Sequence, residues 1–165
     1  MNVPDEPQQL LVSDANILID MQEGGLLHVF FKLPYEFIIP DILFEEELAD
    51  DHPDIPDQGL RLVELSGELM LSAMQMIDVY RKPSRNDIFA MCLAMDKRCP
   101  LLTGDKDLRD AAMREGIEVQ GTIRMVSAMI DHELITKEEA RQAYDLMRNA
   151  GRRLPWKRAD ESLHD

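Results

Sequence analysis

The sequence predicts a three-layer α/β/α domain built on a central, mostly parallel sheet of five strands. Three observations predict it. Five short apolar runs are separated by segments with helical spacing, and strands that alternate with helices form a parallel sheet covered on both faces. The 165 residues suffice for one domain that buries most of its apolar surface. Acidic residues stand at the ends of several of these elements, where open α/β sheets gather their ligands.

The first strand is Leu10-Leu11-Val12-Ser13, an apolar run that ends in Asp14, with Asn16 two residues on. Helical spacing over 17–23 is stopped by Gly24-Gly25, and 26–31 is a short apolar helix. Glu36-Phe37-Ile38-Ile39, closed by Pro40, is a second buried strand, and Asp41 is placed to cap a helix reaching about residue 50. Residues 51–57, with Pro53 and Pro56, form a polar loop. Period-two alternation over 60–65 predicts a third strand near an edge. Two helices, 67–81 and 87–97, are separated by Pro83. A fourth strand, 100–103, runs into Gly104-Asp105, a helix begins near Asp107, and the fifth strand, 117–120, ends at Gly121. The closing helices are 123–132 and 136–149, the second opened by a Thr136/Glu139 capping box. Residues 1–9 read as a flexible extension, 10–158 as the domain and 159–165 as a frayed tail.

Composition narrows the function. No apolar run approaches the ~18 residues of a membrane span, and the first residues lack a basic and then apolar leader, so a cytosolic protein with no membrane partner is expected. Cys92 and Cys99 fit neither a metal pair nor a disulfide framework and read as buried reduced thiols. His28, His52, His132 and His164 show no ligand spacing, and no glycine-rich nucleotide loop is present. Residues 1–60 carry fourteen acids against Lys32 alone, within a net charge of −14. The remainder is nearly neutral, and its positive charge thickens in Arg148, Arg152, Arg153, Lys157 and Arg158. That balance argues against a nonspecific nucleic-acid binder. It permits an acidic site that holds cations beside a basic end that meets a polyanion or an acidic partner. Met70, Met74 and Ile77 share one helical face, which suits core packing or an adaptable partner surface.

Asp14, one of Glu45 to Glu47, Asp87 and Asp105 fall at the same end of this architecture. Glu46 is the choice within its trio, because the i, i+3, i+4, i+7 stripe from Leu43 passes through Glu46 or Glu47 towards Asp50, and Glu47 is the alternative. Each acid also has a purely structural reading. Asp14 can cap a helix, Asp87 can close a capping box with Ser84, and Asp105 can be an N-cap or turn residue. Carboxylates crowded together do not all ionise without a cation, and an oxygen-only set suits Mg²⁺ or Mn²⁺. One such ion, or two about 4 Å apart, activates water and steadies charge on a phosphodiester, so phosphodiester hydrolysis is the expected reaction.

Four stretches then resemble the motifs of the PIN domain, the nuclease family that includes VapC-type toxins. They are Val12-Ser13-Asp14-Ala15-Asn16, Pro40-Asp41-Ile42-Leu43-Phe44-Glu45-Glu46, Ser84-Arg85-Asn86-Asp87, and Leu102-Thr103-Gly104-Asp105-Lys106-Asp107-Leu108-Arg109. The resemblance spans residues 10 to about 155, and its end, Gly151-Arg152-Arg153-Leu154-Pro155, is similar to a PIN subgroup with a longer helical end. It implies a Mg²⁺- or Mn²⁺-dependent endoribonuclease, possible as the toxin of a toxin–antitoxin pair. Asp14, Glu46, Asp87 and Asp105 would be the catalytic metal acids, Asp107 a further acid of the metal site, and Asn16 and Thr103 supporting groups. The implied partners are an RNA substrate, an antitoxin-like inhibitor and a second copy in a homodimer. On this reading Arg152 and Arg153 meet substrate phosphates, while Trp156 stacks on a base or packs at the dimer seam. A non-catalytic PIN-like interaction module, whose acidic surface meets a basic protein, stays open beside it.

Overall fold

A computed structural model of the protein describes residues 8–164. The expected flexible extension lies outside the described residues as far as residue 7, and Gln9 already belongs to the first strand. In chain order the elements are β1 (Gln9–Ser13), α1 (Ala15–Glu23), α2 (Leu27–Phe30), β2 (Tyr35–Pro40), α3 (Asp41–Glu47), α4 (Ile55–Gln58), β3 (Arg61–Val63) and α5 (Gly67–Val79). They continue with α6 (Arg85–Lys97), β4 (Leu101–Leu102), α7 (Lys106–Arg114), β5 (Val119–Gln120), α8 (Thr122–Asp131), α9 (Lys137–Asn149) and α10 (Trp156–Ser162). The five strands form one sheet in the order β3-β2-β1-β4-β5, every pairing parallel, as the alternation of strands and helices predicts. The third strand does take an edge.

The order of strands locates the functional end. β1 pairs with β2 on one side and with β4 on the other, so Val12 faces Ile38 and Leu101 at once. The chain winds outwards to β3, returns, and winds the other way from β4. A crevice opens where the winding reverses, at the carboxyl ends of β1 and β4. Beneath it lies α6, in which every residue from Ile88 to Ala94 is buried. A helix apolar on all sides belongs inside a fold, and α6 packs against β1, β2 and β4 while carrying α5 and α7 beside it. Its first turn therefore presents Asp87 at the crevice. The other layer is made by α1, α2, α8, α9 and α10, which contact one another.

Local differences from the sequence reading have local causes. The polar loop contains α4, a short helix with Pro56 in its first turn, where the missing proline N–H costs nothing. Pro40, not Asp41, occupies the cap position of α3, and the helix closes at Glu47. The frayed tail expected from residue 159 is instead helical as far as Ser162, with Ala159 and Leu163 buried. Trp156, Ala159 and Leu163 form an i, i+3, i+7 stripe that anchors it. Trp156 packs edge-on against Tyr144 at 6.3 Å between ring centres, with the Arg148 guanidinium 4.6 Å above its ring. Its ring thus joins α9 to α10. Cys92 is buried and Cys99 half-buried, both free, and burial pushes the Cys92 thiol up to about 11. In α5 only Ala73 is buried, and Leu71, Met74 and Val79 stand exposed, so Met74 is not a core residue. Among the described residues no helix is long and apolar enough to cross a membrane.

Gly59, which ends α4, has φ +137°, and a Cβ there would stand 3.1 Å from the Phe31 ring. Gly59→Ala is expected to destabilise the fold by about 1–3 kcal/mol. A lowered urea midpoint with an unchanged slope would show it.

Candidate active site

The crevice is built around Asp14. Its N–H donates to Leu102 O at 3.0 Å, which ties the residue after β1 to the end of β4. Its backbone leaves the strand in an extended conformation and caps α1, with Oδ1 accepting from Ile17 N at 3.0 Å. Oδ2 accepts from Thr103 Oγ1 at 2.5 Å. The side chain is 2 % exposed, and this burial, helped by the carboxylates of Asp87 and Asp20, pushes its pKa up to about 7. The hydrogen bonds from Thr103 and Ile17 oppose that rise without cancelling it. The Thr103 hydroxyl also accepts from Asp105 N at 3.1 Å, so one oxygen links the acids that follow β1 and β4.

Asp87 and Asp105 are caps as well. Asp87 Oδ2 accepts from Ser84 N, and Ser84 Oγ accepts from Asp87 N, both at 3.1 Å, closing a capping box. Asp105 Oδ2 accepts from Leu108 N at 2.8 Å at the start of α7. Capping and chemistry do not compete here, because each cap engages one carboxylate oxygen and holds the other at a rigid helix end. Burial raises the Asp87 pKa, and the Asp105 carboxylate raises it further. Asp87 therefore lies within electrostatic reach of both Asp14 and Asp105.

The two glutamates of α3 between which the sequence chose, Glu46 and Glu47, stand in different surroundings. Glu46 is exposed, and its carboxylate accepts from Arg85 Nη2 at 2.7 Å and Asn86 Nδ2 at 2.9 Å. The hydrogen bonds from Asn86 and Arg85 hold it below the usual carboxylate range. Glu47, exposed as well, shifts the other way: desolvation raises its pKa against a hydrogen bond from Asn86, and the Asp87 and Glu46 carboxylates add to the rise. Helix geometry gives the reason. With about 100° per residue, and Leu43 at zero, the buried Phe44 and Leu48 fall at about 100° and 140°, Glu47 at about 40° and Glu46 at about 300°. Glu47 therefore lies on the side of the buried residues, although it is exposed at the end of the helix, and Glu46 lies off that side.

A family model of the PIN domain matches residues 10–165. The chain belongs to the PIN-domain family. No curated protein matches it. The acids after β1 and β4 and the opening of α6 are thus set in a PIN fold, whose members imply a divalent ion. The chemistry of the donors suits one: the acids at this end offer only oxygens, Asp14 carries a desolvated carboxylate that a cation would relieve, and Asn86 Oδ1 is buried without a hydrogen-bond partner. Among the described residues, no three of the acids, histidines or cysteines stand close enough to cage an ion as they are.

The remaining predicted residues of the PIN site separate into two groups. Asn16, exposed at the first turn of α1, accepts from Arg152 Nη2 through its backbone oxygen at 3.4 Å and its Oδ1 at 3.3 Å. Thr103 supports Asp14 as described. Asp107 instead lines a recess with Tyr80, Lys82, Pro83 and Arg114, about half a turn around α7 from Asp105. Arg152 is half-buried and paired: its Nε donates to Asp20 Oδ1 at 2.7 Å, while Thr122 Oγ1 donates to Asp20 Oδ2 at 2.7 Å. Arg153 is exposed. Asp20 and Thr122 were not singled out by sequence reasoning, and Glu47 stood there only as the alternative to Glu46. The signal for Asp20 was an acid set among Ile17, Leu18, Ile19 and Met21, where burial requires a partner.

Proposed function

We propose that this PIN domain is a Mg²⁺- or Mn²⁺-dependent endoribonuclease that hydrolyses RNA phosphodiester bonds. The observation that carries the reading is the buried Asp14 at the reversal of strand order, its pKa raised by burial and by Asp87. Asp14, Asp87, Asp105 and Glu47 would hold the ion, which when bound polarises the phosphate and lowers the pKa of water. The chain's own contribution is placement. Thr103 fixes the Asp14 carboxylate, and the caps of α6 and α7 fix Asp87 and Asp105 before substrate arrives. Because these groups are already oriented, little reorganisation is needed when charge develops on the phosphate.

Cleavage of a labelled single-stranded RNA in Mn²⁺ tests the reading. Asp87→Asn and Asp105→Asn should each abolish it, as should a chelator, and retained cleavage in both variants would sink the site. Glu47→Gln should lower the rate on the order of 10²-fold, whereas Glu46→Gln should leave it within a few-fold. The reverse ranking would return the ligand role to Glu46.

The proposal extends to a toxin restrained by an inhibitory protein and to a homodimer. The exposed Leu71, Met74 and Val79 of α5 support it, because apolar side chains left uncovered on one helix suit a protein partner. Light scattering across a concentration series tests the dimer.

A further inference from the structure

A recess of about 460 Å³ begins at Thr103 and Gly104, beside the acids, and runs past the carboxyl ends of β4 and β5 to α10. Four arginines line it, each from a different part of the chain: Arg109 from α7, Arg124 from α8, Arg153 from the segment before α10, and Arg158 from α10 itself. Among the described residues none of the four makes an ion pair. By contrast Arg61, Arg85, Arg141, Arg148 and Arg152 each have an acidic partner. In a chain of net charge −14, four unpaired guanidinium groups around one recess are an unusual use of scarce cations.

The wall between them supplies further donors. α8 begins there at Gly121, with no side-chain cap. Thr122, the first residue of the helix, turns its hydroxyl away to Asp20, and the first helical bond runs from Met125 N to Gly121 O. The N–H groups of Thr122, Ile123 and Arg124 are therefore the orphan donors of a ten-residue helix, an arrangement that favours an anion. Gly121 keeps the approach open, since a Cβ there would meet nothing nearer than Thr103 O at 3.7 Å. Two carboxylates share the lining, but both are engaged: Asp20 by Arg152 and Thr122, Glu118 by the Gln120 amide at 3.1 Å.

We propose that this recess is the subsite for a backbone phosphate of the RNA strand, next to the phosphodiester held at the acids. This rests on the nuclease reading and adds a direction to it. Towards β2 and β3 a strand would meet Glu45 and Asp50, both exposed and acidic. Towards β4 and β5 it meets the arginines, so the strand leaves the acids over β4 and β5. Guanidinium pairs and helix N–H groups both suit phosphate oxygens.

The test is binding of a fluorescein-labelled single-stranded RNA hexamer in EDTA, read by anisotropy over a salt series. Binding in EDTA needs no cleavage, so a wild type that binds but never cuts in Mn²⁺ would sink the nuclease reading and leave this one standing. Arg124→Gln/Arg158→Gln should weaken binding at least tenfold and reduce the slope of log affinity against log salt by about 0.7 for each phosphate that is no longer neutralised. Arg153→Gln should act in the same direction, and Arg141→Gln, on α9, should do neither. Since the recess arginines hold no ion pair, melting temperatures should stay within a few degrees of wild type, which excludes unfolding as the cause. Unchanged affinity and salt slope in the double variant would overturn the proposal. Loss of inorganic phosphate binding with RNA binding intact would also overturn it, assigning the recess to a free ion. Loss of an acidic peptide alone would overturn it in favour of a protein partner.

Discussion

Asp14→Asn is expected to abolish RNA cleavage and to make the metal-free protein more stable than wild type near neutral pH. The folded-state pKa of Asp14 is about 7, against 3.8 for a free aspartate. Between those values the folded chain keeps a proton that the unfolded chain has released, so stability falls as pH rises. The penalty is absent below the lower value, grows through the window and is complete above the upper one. Its full size is about 4 kcal/mol. The amide has no charge to desolvate, and with its oxygen accepting from Ile17 N its NH2 can donate to Thr103 Oγ1. Urea denaturation in EDTA at about pH 5 and pH 8 should therefore show a drop in wild type that the variant lacks. Titrating groups away from Asp14 are common to both proteins and cancel in the comparison. Mn²⁺ at the higher pH should restore wild type by mass action and leave the variant unmoved. A wild-type stability that is flat or rising across the window would show that burial does not penalise this carboxylate.

The sequence makes legible what is decided locally. Asp14 stands out because an apolar strand stops at it, and the pairing of Ser84 with Asp87 is visible because a capping box closes within one helical turn. The order of strands follows from a parallel sheet only once β4 is known to return beside β1, which no spacing encodes. Glu46 and Glu47 are both one turn from Leu43, and only the burial of Phe44 and Leu48 orients α3 enough to separate them. Arg152 resembles a substrate contact in sequence because its partner, Asp20, lies 132 residues away. The arginine recess is invisible for the same reason, since α7, α8 and α10 meet only in the fold. Asp107 shows the same limit from the other side: two residues from Asp105 in sequence, it is rotated by α7 towards a different recess.

Arg152→Met is expected to cost about 3 kcal/mol or more in stability, the largest loss from a single replacement at this end of the chain. Asp20 keeps 10 % of its side chain in solvent and Arg152 keeps 24 %, so the pair is shielded enough for its loss to leave a carboxylate nearly buried. Thr122 alone cannot supply the missing charge. Asp20→Asn combined with Arg152→Met should cost less than Arg152→Met by itself, because no charge is then stranded. That ordering distinguishes an ion pair that must be broken or kept whole from simple loss of packing, in which the two costs would add. The pair also fixes the segment before α10 against α1, through the Asn16 contacts of the same guanidinium, and Arg153 follows it directly into the recess. RNA binding by the fraction of Arg152→Met that remains folded should keep its salt slope, since this arginine faces Asp20 and not the strand. A variant that melts like wild type yet binds RNA poorly would make Arg152 a substrate contact, as the sequence alone suggests.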